Sequence, residues 1–267
     1  MAGFFGFFDY SKPGKGVRKD EPKKSHFVQF FILVQRKFWK LIQLNLLFIL
    51  FCIPIVTIGP DISGMTYVLR NFATEQPVFL FSDFWDAFKS NFKQSFAYSI
   101  IFAVAAVVMY IAGSFYFANA AENALFYIPA GFIALIAVLF VFANFYIFPM
   151  IVTLDLPLKG IIKNGFLFSI LGIKSNIFTA VILAILIFLL WMFYVIGFLV
   201  YVIIGFALIG FIIVFNSYRI IQKYAIDPYM EQLETEVALE GGQPAEEETV
   251  FSDEMLIKSR DDEETGK

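Results

Sequence analysis

SNIFTAVILAILIFLLWMFYVIGFLVYVIIGFALIGFIIVFNSY, residues 175–218, holds no charged side chain and is apolar at almost every position. As a single α-helix the run would extend about 66 Å at ~1.5 Å per residue. The hydrocarbon core of a bilayer is about 30 Å thick. The run therefore reads as two membrane helices, 177–195 and 198–217, joined by a tight turn near Tyr194–Gly197. Three further uncharged stretches precede it, at 41–60, 94–121 and 123–154, and they yield helices expected over 38–58, 97–119 and 126–148. The chain is an all-α, polytopic membrane helix bundle on this reading.

Composition agrees with that class. Mean hydropathy is +0.74 and the hydrophobic fraction is 59%, against about 45–50% apolar residues in soluble domains. At 267 residues the chain is expected to be one membrane domain with tails and no separate catalytic domain. The segment Gly3–Phe8 is aromatic but short, and no basic region precedes it, so no leader is read there. The one cysteine, Cys52, lies in an apolar run and is expected to pack as a small hydrophobe. One Cys and one His (His26) assemble no metal or redox cluster, so neither metal nor cofactor is expected.

A net charge of −3 conceals an asymmetry. Residues 1–37 form a basic arm that ends where the first apolar run begins, which is a positive-inside signal and a surface for anionic headgroups. Nucleic acid is not the expected partner of that arm. Residues 231–267 carry thirteen acidic side chains against Lys258, Arg260 and Lys267, include Gly241, Gly242 and Pro244, and are expected to be a disordered cytoplasmic tail. The membrane domain is then 38–230.

Counting basic loops tests the number of crossings. Lys89 and Lys93 mark loop 75–95, Lys159, Lys163 and Lys174 mark 149–176, and Arg219 and Lys223 follow the last helix, while 119–126 and the turn near Tyr194–Gly197 carry no Lys or Arg. Five crossings would put all of these basic loops on the side opposite the basic arm, against the charge rule. A sixth element repairs the parity. Pro54 disfavours helix before it, and Thr57, Gly59 and Pro60 read as a break and restart. A helix over 60–74, about 22 Å long, would return the chain, as a short tilted crossing or a re-entrant element, and leave both termini cytoplasmic. Asp61 at its start is expected at the outer boundary or facing protein, since a carboxylate in hydrocarbon costs about 2.5–3.5 kcal/mol on insertion scales.

Two amphipathic segments lie on the basic side. Ser82–Phe96 repeats Phe84, Phe88, Phe92 and Phe96 every fourth residue, with Ser82 expected as N-cap and Asp83, Asp86, Lys89, Ser90, Lys93 and Gln94 on the opposite face. In 157–170, Leu158, Ile161, Ile162, Phe166 and Ile170 oppose Lys159 and Lys163. Such helices lie in the interface, either capping the bundle or docking a partner through Trp85, Asp86, Lys89 and Lys93. An offset of 74 aligns Phe88–Phe92 with Ile162–Phe166 and Ser95 with Ser169, so interfacial helix plus helical hairpin reads as a parallel repeat.

Catalytic chemistry is missing from these runs. There is no His-Glu-x-x-His, Walker or GxGxxG motif, a Ser/Asp/His set would have to draw on His26 in the arm, and no pair of aspartates falls at membrane depth. The chain reads as a non-enzyme. Asn45, Asn144 and Asn216 are the polar residues that either bond helix to helix or line a path for an uncharged solute. Pro149 is expected to end the third long helix.

The residues now assembled resemble the YesL family of bacterial integral membrane proteins of unassigned activity. The resemblance rests on Leu44-Asn45-Leu46-Leu47 leading to Pro54-Ile55-Val56-Thr57-Ile58-Gly59, on Asp83-Phe84-Trp85 with Phe88 and Asn91-Phe92-Lys93, on Tyr146 and Pro149, and on Lys163-Asn164-Gly165-Phe166. The opening Gly3-Phe4-Phe5-Gly6-Phe7-Phe8 is similar too, and the likeness runs over roughly residues 1–230. It implies a bacterial plasma-membrane protein accessory to carbohydrate transport, with the lipid bilayer and a carbohydrate transporter complex as partners. A permease or channel for small uncharged solutes is the alternative. The resemblance brings no catalytic residue.

Overall fold

The computed structural model describes residues 25–239, and among them every regular element is helical. The chain divides at Arg36 into two units. Within the first, the described part is the start of helix α1, which runs His26–Phe51. The second holds the rest: α2 (Ile58–Ala73), α3 (Leu80–Ser90), α4 (Phe92–Asn119), α5 (Tyr127–Ile151), α6 (Leu158–Leu171), α7 (Ile173–Met192), α8 (Tyr194–Val200), α9 (Phe206–Ile221) and α10 (Asp227–Leu239). A π-turn over Tyr201–Gly205 joins α8 to α9, and a second over Gln222–Ile226 joins α9 to α10. The all-α bundle is thus present. Four helical stretches are long and apolar enough to cross a membrane: Phe92–Asn119, Ala124–Ile151, Ile173–Met192 and the continuous Tyr194–Thr235.

The remaining membrane elements of the sequence reading are α1 and α2, and neither qualifies. The apolar part of α1, residues 41–51, rises about 17 Å, and the 16 residues of α2 rise about 24 Å. The elbow between them forms as the Pro-rich sequence dictates. Pro54 is extended at φ −78°, ψ 107°, and the Thr57 hydroxyl donates to the carbonyl oxygens of Phe51 and Pro54, at 2.6 and 2.5 Å, taking up acceptors that the helix end leaves open. The helix expected over 38–58 therefore starts earlier, at His26, and stops seven residues sooner, because the proline forbids its continuation. Pro60 sits in the first turn of α2, where its missing N–H costs nothing.

Several other boundaries differ. The segment expected as one helix over Ser82–Phe96 breaks at Asn91, whose side chain caps back onto the Ala87 carbonyl at 3.0 Å, so Phe92 and Phe96 belong to α4. Its N-cap is Phe79 rather than Ser82: the Asp83 carboxylate accepts from the Phe79 N–H at 2.9 Å and fixes the start one turn earlier. Pro149 does not end α5, which continues to Ile151, since a single lost hydrogen bond is tolerated near a helix end inside a packed bundle. Residues 231–239 are helical in α10 rather than unstructured, because Pro228 falls in the first turn of α10, where a missing N–H is tolerated after the π-turn. The rest of the expected tail, and residues 1–24 of the arm, lie outside the described residues.

Buried side chains gather in one half of the bundle. They fall at 140–151 in α5, at Ser95 and Tyr98 in α4, at Asn176, Thr179 and Leu183 in α7, and from Ile204 onward toward α9. Twelve of the residues of α2 are buried, and this helix packs against α3, α4, α5 and α9. The other halves of α4, α5 and α7 present exposed apolar side chains, as lipid-facing helices do. The turn between α7 and α8 is tight because Gly197 lies against the Leu190 carbonyl, where a Cβ would collide with backbone. The order amphipathic helix, long helix, long helix occurs twice, as α3–α4–α5 and α6–α7–α8/α9. Ser95 and Ser169, paired by the offset of 74, are both fully buried. The breaks at Asn91 and Gly172 are 81 positions apart, however, so the repeat holds in element order and not in strict register.

Candidate functional site

Several of the polar groups inside the packed half tie one helix to another. Asn45 on α1 is fully buried. Its amide donates to the Val202 carbonyl at 2.6 Å and its oxygen accepts from the Ala207 N–H at 2.9 Å. Val202 lies within the π-turn and Ala207 two residues past it, five apart as in a π pairing, so one asparagine bonds both an acceptor and a donor at that irregularity. The Ser63 and Ser95 hydroxyls pair at 2.5 Å between α2 and α4. Gly59, one turn before Ser63, permits this approach: a Cβ there would run into Ser99 Oγ and the Ser95 carbonyl.

Two tyrosine–asparagine pairs continue the pattern. Tyr98 on α4 donates to Asn144 Oδ1 on α5 at 2.6 Å, and Asn144 donates back to the Phe140 carbonyl at 2.7 Å. Tyr146 on α5 donates to Asn176 Oδ1 on α7 at 2.5 Å, and Asn176 donates to the Ser169 carbonyl at 3.0 Å. Asn216 donates to Ile212, four residues back on α9, at 2.9 Å. Asn45, Asn144 and Asn216 are therefore engaged at three separate places, each with its own partners. An open depression lined by Pro228, Glu231, Gln232 and Thr235 lies on α10, and none of the three borders it.

Asp61 is the charged residue among the buried polar groups, and Thr153 Oγ1 in the turn after α5 is the other buried side-chain atom without a hydrogen-bond partner among the described residues. Asp61 sits in the first turn of α2, just past the elbow, and is 0% exposed. Both carboxyl oxygens are buried and have no hydrogen-bond partner. The Cys52 thiol is close enough to act on the carboxyl without meeting hydrogen-bond geometry. The expectation that Asp61 faces protein is met, but the sequence reading assigned it no role. The signal was available: Asp61 is the only acidic residue between Glu21 and Glu75, and it follows a helix break in an apolar run. Among the described residues no cluster of His, Cys, Asp and Glu suited to a metal ion is present.

The residues read for docking lie on or next to α3. Phe84, Ala87 and Phe88 are buried, and the Phe51 ring at the end of α1 contacts Phe84, Trp85 and Phe88 at 5.5, 5.4 and 5.6 Å. Trp85 stacks on Phe88 at 5.3 Å, and the Lys89 ammonium lies over the Trp85 ring at 4.8 Å. The apolar face is thus covered by protein. Lys89 and Lys93 are exposed, Trp85 and Asp86 half-buried, and Lys93 stands beyond the break, on α4. Arg70 and Gln94 tie α2 and α4 to the turn after α5, through the Val152 carbonyl at 3.0 Å and the Leu156 carbonyl at 2.8 Å.

No curated protein and no solved structure matches the chain. Residues 41–112, which span the elbow, Asp61, α3 and the first part of α4, match the model of a family described as a protein of unknown function, DUF624.

Proposed function

We propose that this chain is a multi-pass protein of the bacterial plasma membrane with both termini in the cytoplasm, acting without catalysis as an accessory of a carbohydrate transporter. The DUF624 match is consistent with the YesL resemblance, and the carbohydrate part of the reading comes from that resemblance alone. Four full crossings by α4, α5, α7 and α8–α9, together with a re-entrant α1–α2 hairpin, leave every basic loop on one side. The elbow suits hydrocarbon rather than water, with Ile53, Ile55 and Val56 exposed by 73, 81 and 61%.

The observation that carries the accessory role over a permease is the engagement of Asn45, Asn144 and Asn216 in separate intrahelical and interhelical bonds. A solute path needs polar groups free to exchange partners, and these hold the bundle together instead. The experiment has two arms. Reporter fusions after Lys40 and after Tyr229 are expected to give the same cytoplasmic signal, and opposite signals reject the topology. Proteoliposomes of the purified chain are expected to be no more permeable to uncharged sugars than empty vesicles, while crosslinks from Lys89 and Lys93 in native membrane reach a transporter subunit. Sugar flux through the purified chain would reject the accessory role in favour of the permease.

A further inference from the structure

We propose that Asp61 is a proton-binding site inside the membrane domain: its carboxyl is held as the neutral acid in the closed bundle, and releasing the proton opens the α1–α2 elbow. This goes beyond the accessory role and does not depend on it.

The argument begins with what surrounds the group. An isolated carboxylate moved out of water costs several kcal/mol even after relaxation, and such a group neutralises unless a cation or hydrogen-bond donors compensate. Asp61 has no donor on either oxygen. The elements packed on α2 are α3, α4, α5 and α9, and their ionisable groups are otherwise engaged or exposed. Asp83 of α3 accepts from the Phe79 N–H, Asp86 meets the Ser82 hydroxyl, and Lys89 lies over Trp85. On α4, Lys93 is exposed and Tyr98 donates to Asn144; on α5, Tyr146 donates to Asn176. On α9, Arg219 is exposed, and Tyr218 is under the influence of Arg70 and Asp227. Arg70 of α2 itself stacks over Tyr67 and bonds Asn71 and Val152. From α1, Lys37 lies over Phe72 and Lys40 reaches the Val78 carbonyl. The group that acts on the carboxyl is the Cys52 thiol, which is neutral and brings no positive charge.

The way out is equally local. Asp61 lies four residues beyond Thr57, whose hydroxyl bonds close the elbow, and Cys52 on the near side of the elbow is only half-buried. On ionisation the O–H bond breaks, its electron pair stays on the carboxylate, and the proton passes to water. On this proposal the Cys52–Thr57 segment, which carries the thiol nearest the carboxyl, is the part that moves to admit that water. Charge on Asp61 and the closed elbow therefore exclude each other.

The test uses the full-length protein in lipid nanodiscs. Infrared difference spectra at neutral pH between the wild type and Asp61→Asn are expected to show the carbonyl stretch of a protonated carboxylic acid in the wild type and its loss in the variant. Identical spectra in that region overturn the proposal. Growth on carbon-13 aspartate supplies the same readout without a mutation, so a failure of Asp61→Asn to fold leaves the test intact: no acid band moved by the label overturns it too. Replacing choline chloride with sodium chloride at fixed pH is expected to leave the band unchanged, and its disappearance would overturn the proposal by making the site one for a metal cation. For the opening step, the labelling rate of Cys52 with a thiol reagent is followed as pH rises, as the ratio of wild type to Asp61→Asn. A ratio that climbs several-fold is expected, and a flat ratio overturns the coupling.

Discussion

Asn45→Leu separates a tie that organises the bundle from one more interhelical bond of average worth. Leucine has nearly the shape of asparagine, so the substitution leaves no large cavity, and the loss is confined to hydrogen bonding. The Val202 carbonyl and the Ala207 N–H, bonded at 2.6 and 2.9 Å, lose the side chain inserted between them, and only a direct i→i+5 bond across the π-turn would replace it. If the two groups stay apart, a buried N–H and a part-buried carbonyl left without partners at about 1–3 kcal/mol each give ~2–6 kcal/mol, against about 0.6 kcal/mol for an average hydrogen bond between membrane helices. Unfolding equilibria in mixed micelles of increasing denaturing detergent, followed by tryptophan emission, measure the difference. The companion variant is Asn119→Leu, whose parent donates only to the Phe115 carbonyl of its own helix at an exposed position and is expected to change stability by less than ~0.5 kcal/mol. A loss of ~0.6 kcal/mol or less for Asn45→Leu would refute the reasoning, for it would mean that the two backbone groups pair with each other and need no side chain between them.

Other substitutions probe the remaining contacts. Gly59→Ala pushes a Cβ into the Ser95 backbone and Ser99 Oγ, and overpacking of about 1–3 kcal/mol is expected as a lower thermal midpoint in detergent; an unchanged midpoint would show that α2 and α4 slide apart freely. Phe88→Asp puts a charge into the Phe51–Phe84–Trp85 cluster and should cost several kcal/mol, whereas Lys89→Gln, at an exposed position, should be close to neutral in the same melt. Tyr146→Phe strips the donor from buried Asn176 and should cost more than Tyr98→Phe, whose partner Asn144 is only part-buried; the reverse order in unfolding equilibria would contradict this account of the two pairs.

The sequence carried most of the bundle because length and charge, the two signals it relies on, act directly in a bilayer. The uncharged run 175–218 is too long for one crossing, and it does turn, at Phe193. The return helix at 58–73 follows from Pro54, Gly59 and Pro60 together with the parity of basic loops. Asn91 escaped notice because the four-residue phenylalanine spacing continues across it: Phe88 and Phe92 keep the period on either side of a break made by one backbone residue. Pro149 misled in the opposite sense, as local propensity gave way to burial between α5 and α6. Asn45 was recognised as polar and internal, but its partners are more than 150 residues away and belong to a backbone irregularity that leaves no mark in the residue types. Asp61 sits near a helix end, and in the proposed re-entrant hairpin that end lies inside the protein rather than at the water.

That last point connects the short elements to their contents. A helix that spans the bilayer hands its polar termini to water on both sides. In the proposed re-entrant arrangement the ends of α1 and α2 meet inside the protein, and short side chains take up polar groups there: Thr57 on the carbonyls of Phe51 and Pro54, Ser63 on Ser95, and Asn45 on the α8–α9 junction. The packing that permits this is tight enough at Gly59 to leave no room for a methyl group. Such a hairpin is stable only while the four long helices stay around it, and the same enclosure deprives Asp61 of water. A chain whose sole need was to fill the membrane would have a leucine at that position; an acid kept there without a partner makes the elbow the part of the structure whose stability depends on a proton.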